Sequence, residues 1–171
     1  MKVGIKTIKA FRWIVILLNE HAIPFQISGG FSAKIYGSKR PVHDIDIDIP
    51  EDRFKDILPE VKKYIFYGPH HYKSDAWDLY LMTLNYHGQL IDIGGAFKEK
   101  VCDIRTDKWV PIPTNFNTER IIDVFGIKVP VINPKELVEY KSHLCRHQVE
   151  DIRAAKNYIK KHKLDGKKRK S

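Results

Sequence analysis

Residues 44 to 49 read Asp-Ile-Asp-Ile-Asp-Ile. In an extended strand successive side chains point to opposite faces, so Ile45, Ile47 and Ile49 form one apolar face and Asp44, Asp46 and Asp48 one charged face. Neighbouring carboxylates on such a face lie ~5 Å apart and, at an effective dielectric of ~20, repel by roughly 3 kcal/mol per pair. A cation relieves that repulsion. Hard oxygen ligands with no cysteine or histidine cluster beside them suit Mg²⁺ better than zinc, and Mg²⁺ commonly arrives with substrate phosphates. The plainer reading of the same alternation is a half-solvated strand.

Upstream, Phe25 to Ser28 reads as a short strand, Gly29 and Gly30 as a tight turn, and Phe31 to Tyr36 as a helix ended by Gly37. A turn that opens a helix presents unpaired backbone N–H groups and the positive end of the helix dipole, which together favour a phosphate. Ser28 and Ser32 are candidate hydroxyl donors there. Thirteen residues separate Gly30 from Asp44, enough for the helix and a loop returning the acidic strand beside the first. Paired glycines alone most often only turn the chain. Farther on, Asp92 stands isolated between Ile91 and Ile93 on a strand that follows a turn at His87-Gly88; it is either a third carboxylate of the site or an ordinary edge-strand acid.

From about Ile23 to Ile159 the chain resembles the polymerase-beta-like nucleotidyltransferase superfamily, whose pattern is a strand, a Gly-Gly or Gly-Ser turn, a short helix and a strand bearing Asp-x-Asp. The likeness is strongest to the small lincosamide and aminoglycoside nucleotidyltransferase type. The resemblance implies that Asp44 and Asp46 hold two Mg²⁺ ions together with Asp92, which either binds one of them or accepts the acceptor's hydroxyl proton. The spacing from Gly30 suits Asp44 and Asp46 better than Asp46 and Asp48. It further implies in-line displacement at the α-phosphate of a nucleoside triphosphate, with ATP as the expected substrate and pyrophosphate as the leaving group.

Lys39 and Arg40, just before the acids, and Lys141, in Glu136 to Lys141, are candidate phosphate partners, and each is equally readable as a surface cation. His43 is a candidate phosphate contact or a structural donor. The acceptor is expected between Lys98 and Asn117, the least regular stretch, with Trp109, Pro111 and Pro113, and around Tyr67 to Trp77, where His70, His71, Tyr72 and Trp77 supply rings and donors. An antibiotic hydroxyl, a protein side chain and a nucleic-acid end all remain open.

At 171 residues and 43% apolar, the chain is long enough for one domain with a real core. The apolar run Trp13 to Leu18 is too short to cross a bilayer, and the expectation is a cytoplasmic protein without a membrane partner. Cys102 and Cys145 form no disulfide framework. His143 and His147 stand four apart around Cys145, yet they lack the glutamate of the metalloprotease helix motif, which favours a solvated helix face over zinc. The net charge is +9, part of it in the tail 163–171, which reads as a frayed terminus or as a polyanion contact.

The remaining pattern predicts helices at Lys6 to Glu20, at Asp52 to Lys63 with a break near Leu58 caused by Pro59, from Asn133-Pro134 to about Arg146, and at Val149 to His162. Hairpins are predicted at Leu79 to Ile93 and at Ile121 to Ile132, turning near Phe125-Gly126. The expected fold is one α+β domain, a mixed sheet flanked by helices, with a C-terminal helical part at about 134–162. Two other classes share these features: a weakly catalytic protein of this fold that binds a small helical partner in antitoxin fashion, and a basic RNA-binding module.

Overall fold

The computed structural model describes residues 1–144 and 148–164. Cys145, His147 and the basic tail from 165 onward lie outside the described residues. The chain forms α1 (Ile5–Glu20), β1 (Gln26–Ile27), α2 (Gly29–Ile35), β2 (Asp44–Ile49), α3 (Phe54–Val61), β3 (Ile65–Lys73), β4 (Trp77–Tyr86) and β5 (Gln89–Gly95). There follow β6 (Lys100–Asp103), β7 (Lys108–Pro111), β8 (Arg120–Val124), β9 (Ile127–Val131), α4 (Pro134–His143) and α5 (Val149–Lys161). The architecture is α+β with a mixed sheet.

Nine strands form one sheet in the order β7-β6-β4-β5-β2-β1-β9-β8, with β3 added along β4. β2 lies parallel to β5 with Asp46 level with Asp92, and antiparallel to β1 with Ile27 level with Ile47. β1 in turn pairs parallel with β9. Ile45, Ile47 and Ile49 are fully buried with Ile91 and Ile93, so the alternation read from the sequence sets the apolar face of β2 and β5 into the core. The acids are left on the other face.

α1 buries Ala10, Phe11, Ile14, Val15 and Leu18, an apolar stripe at helical spacing. Phe11 touches Phe31 of α2 and Phe125 of the β8–β9 turn, at ring-centroid distances of 5.5 Å and 5.6 Å. These contacts link the first helix to the glycine-turn helix and to the C-terminal half of the sheet. At the start of α4, Asn133 caps the helix by accepting from the Lys135 N–H at 3.0 Å, with Pro134 as its first residue.

Two local expectations need correction, and a third element, β3, forms where the sequence reading named none. α3 continues through Pro59 to Val61 rather than breaking near Leu58. The missing N–H of Pro59 would have met a carbonyl in the first turn, and burial of Phe54, Ile57 and Val61 on one face holds the remaining turns. Lys98 to Asn117 contains an antiparallel pair, β6 and β7, joined through Asp107 at φ +56°. Ile65 to Lys73 is a strand despite Gly68-Pro69, because register shifts on either side of Tyr67 accommodate these residues on the outer edge of β4.

Phe11→Ala removes a fully buried ring shared by α1, α2 and the β8–β9 turn. The expected cost is about 3–5 kcal/mol, measured as a lower urea midpoint at an unchanged m-value.

Candidate active site

The left-handed conformation of Gly29, φ +56°, starts α2 directly against β2. A Cβ at Gly29 would stand 2.1 Å from the Asp46 carboxyl carbon. Only glycine lets the turn approach this closely. The Phe31 N–H then donates to Asp46 Oδ2 at 3.1 Å, so the helix start fixes the carboxylate. The glycine turn therefore has a task the sequence did not disclose, which is to position an acid as well as to line the cavity.

Parallel pairing brings Asp92 of β5 level with Asp46, and Asp44 stands two residues earlier on the same face of β2. One carboxylate oxygen from each of the three lies within 4.8 Å of the others. Thr83 of β4 donates its hydroxyl to Asp92 Oδ1 at 2.6 Å, which orients that side chain. Burial and the neighbouring Asp44 push the Asp46 carboxyl up to about 7. Burial, with Asp44 nearby, raises Asp92 as well. Three oxygens this close, with their charge opposed by the surroundings, form a donor set suited to a hard divalent cation.

Asp48 serves a different purpose. It is buried, accepts from Ser28 Oγ at 2.9 Å and Thr114 Oγ1 at 3.2 Å, and is pushed by burial to about 6. Beside it lies Glu99, which the sequence reading missed. Its carboxyl packs over Gly94, and a Cβ there would stand 2.6 Å from Glu99 Oε1 and 3.4 Å from Asp48 Oδ1. Burial and the nearby Asp48 raise Glu99 well above the usual carboxylate range. Gly94-Gly95 directly after Ile91-Asp92-Ile93 was the available signal, because glycines inside a strand mark close approach by another group.

The cationic wall is built by Asp151 of α5. This 1%-exposed carboxylate accepts from Arg40 Nη1 at 2.7 Å, Lys141 Nζ at 3.1 Å and Ser38 Oγ at 2.7 Å. Two sequence candidates, Arg40 and Lys141, are thereby held on the wall of one cavity with the triad. Lys141 is buried rather than a surface lysine, and its charge lowers the Asp46 carboxyl. Lys39 is exposed and lies off the cavity, its backbone N–H donating to Glu150 Oε1. Ser32 also lies off the cavity, fully buried with its hydroxyl donated to the Gly29 carbonyl at 2.9 Å. Neither Lys39 nor Ser32 is brought to the triad.

The cavity measures about 730 Å³ and is lined by Ser28, Gly29, Gly30, the triad, Tyr72, Trp77 and Tyr140. Pro111, Pro113 and Thr114 line it as well, so both stretches expected to hold an acceptor contribute to the wall. His70 and His71 do not; His71 Nε2 instead lies 2.6 Å from Asp78 Oδ1. His43 is exposed at the cavity and its carbonyl accepts from Gln89 Nε2 at 3.0 Å. His143 is no solvated face residue. Its Nδ1 lies 2.7 Å from Asp103 Oδ2, and Arg105 holds Asp103 far below the usual carboxylate range.

Two substitutions test this construction. Gly29→Ala forces a Cβ into the Asp46 carboxyl and is expected to cost about 2 kcal/mol or more and to weaken Mg²⁺ binding in calorimetric titration. Asp151→Asn leaves a buried lysine and an arginine without their anion. A loss on the order of 3 kcal/mol is expected, read from urea unfolding.

No protein-family model matches the chain, and no curated protein matches it in sequence. Solved structures do match its fold. A provisionally named nucleotidyltransferase of Thermotoga maritima, TM1012, is 19% identical over 94% of this chain and 96% of its own, with a TM-score of 0.67. The lincosamide antibiotic adenylyltransferase LnuA, in its lincomycin-bound form, is 15% identical over 88% of this chain and 96% of its own, with a TM-score of 0.59. ANT(2'')-Ia in complex with adenylyl-2''-tobramycin is 13% identical over 93% and 92%, with a TM-score of 0.62. The chain thus has the fold seen in these nucleotidyltransferase structures.

Proposed function

We propose that this chain is a Mg²⁺-dependent nucleotidyltransferase that transfers a nucleoside monophosphate, AMP from ATP, to a hydroxyl acceptor and releases pyrophosphate. The observation that carries this reading is the convergence of Asp44, Asp46 and Asp92, from two adjacent parallel strands, to within 4.8 Å on the wall of a 730 Å³ cavity. Adenylyl transfer is favoured over other nucleotides by the similar fold of LnuA, an adenylyltransferase, and of ANT(2'')-Ia bound to adenylyl-2''-tobramycin.

Asp44, Asp46 and Asp92 would hold two Mg²⁺ ions, which supply positive charge against the attacking and leaving oxygens. The rest falls to the chain's own residues. Gly29 and Gly30 let backbone approach the triphosphate closely, while Arg40 and Lys141, fixed on Asp151, face its negative charge. The acceptor oxygen bonds to the α-phosphorus as the bond to the bridging α,β-oxygen breaks, and the hydroxyl proton passes to Asp92. Thr83 holds that carboxylate in place by its hydrogen bond.

Asp44→Asn and Asp46→Asn are each expected to lower Mg²⁺-dependent pyrophosphate release from ATP by at least ~10³-fold, on the scale of losing a charge-stabilising group. Chelation by EDTA is expected to abolish release in the wild type, with Mg²⁺ restoring it. Unchanged turnover in both variants would reject the proposed site.

A further inference from the structure

The proposed site leaves most of the positive charge of the C-terminal helices unused. Arg153, Lys156, Lys160, Lys161 and Lys163 are exposed on α5 and just beyond it, and the stretch 152–164 holds no acidic residue. α5 packs by its other residues, burying Asp151, Ala154 and Ala155. Its basic residues are therefore not needed to hold the helix in place.

Two of them face a groove. Lys156 and Lys160 stand one helical turn apart, ~6 Å along the axis, and with Lys135 of α4 they line a space of about 440 Å³ together with Val138 and Ile159. None of these residues lines the catalytic cavity. The acids of the same helices are occupied elsewhere: Asp151 holds Arg40 and Lys141, and Glu150 holds Arg153. Among the described residues no ion pair or side-chain hydrogen bond engages Lys135, Lys156 or Lys160; Lys135 is bonded only through its backbone N–H. Like charges gathered from two helices into one groove repel, and an anion placed among them removes that repulsion.

We infer that the α4–α5 groove docks the phosphate backbone of a single-stranded nucleic acid, at a site separate from the catalytic cavity and independent of the transferase reading. The ~6 Å between Lys156 and Lys160 reaches two phosphates of a strand that carries one charge per ~3.4 Å, and Lys135 meets the same strand from the other helix. An acidic peptide fits less well. Such peptides are anchored by large apolar side chains in a hydrophobic groove, whereas here the apolar lining is only Val138 and Ile159, and Ile159 is 7% exposed. No aromatic ring lines the groove, so bases are not stacked and binding is independent of sequence.

The test follows fluorescence anisotropy of a labelled oligoadenylate RNA of about 20 nucleotides titrated with the full chain between ~50 mM and ~200 mM salt. The wild type is expected to bind saturably, with affinity falling as salt rises. The triple variant Lys135→Gln, Lys156→Gln, Lys160→Gln is expected to bind at least 10-fold more weakly at ~50 mM salt and to lose about 2 from the slope of log affinity against log salt, at ~0.7 per phosphate contact on a single strand. A control that removes the same charge from separate elements, Lys9→Gln, Lys55→Gln, Lys108→Gln, is expected to stay within threefold of the wild type. All six lysines are exposed, and equal melting temperatures establish that both variants are folded. Should the triple variant misfold, Lys156→Gln alone is read by its slope, expected to fall by about 0.7. The inference is overturned if the wild type does not bind, if the control weakens binding as much as the groove variant, if a duplex of the same length binds as tightly as the single strand, or if polyglutamate displaces the RNA at equal charge concentration, which would make the partner an acidic protein.

Discussion

The parallel pairing of β2 with β5 is the constraint on which the rest depends. It sets Asp46 level with Asp92 and on the other face buries Ile45, Ile47, Ile49, Ile91 and Ile93 completely. Full burial of one such side chain contributes roughly 1.5–3 kcal/mol, whereas each carboxylate pair on the opposite face opposes folding by roughly 3 kcal/mol at most. Five isoleucines outweigh that opposition. The apolar face can therefore hold like charges together before any counter-ion arrives.

The second requirement is that the middle acid be aimed. β2 by itself would leave Asp46 free to rotate away from its neighbours, but the α2 start presses against it and donates the Phe31 N–H. α2 is anchored in turn by Phe31 packing on Phe11 of α1. A core contact more than a dozen residues from the acids is thus one step removed from the geometry of the triad. Stability and site geometry are coupled here through the same helix.

Those parts of the molecule determined locally were legible in the sequence. The period-two alternation of 44–49, the Asn133-Pro134 helix start and the Phe125-Gly126 turn each carry their structure within a few residues. The convergence of Asp92 with Asp44 and Asp46 was inferred from a pattern resemblance, since no periodicity encodes the register of two strands more than 40 residues apart. What the sequence hid was set by distant partners. Lys141 reads as a helix-surface cation until Asp151, one helix later, takes it out of solvent. β3 was obscured by Gly68-Pro69, and Glu99 by the irregular-looking stretch that carries it. Lys39 and Arg40 are adjacent and chemically alike, yet only Arg40 reaches the cavity wall.

The position of Asp151 explains why a chain with a net charge of +9 keeps an acidic cavity. The excess positive charge is distributed over the surface, where it draws in polyanions at long range and is screened within roughly a Debye length of ~8 Å. On the cavity wall, the two cations Arg40 and Lys141 are matched to one buried anion, leaving a net charge of about +1 among the three groups. A polyanion attracted from outside is matched on the Arg40–Lys141 side of the cavity. The C-terminal helices produce this division: α4 supplies Lys141 and α5 supplies the aspartate that holds it, making them part of the site as well as of the fold.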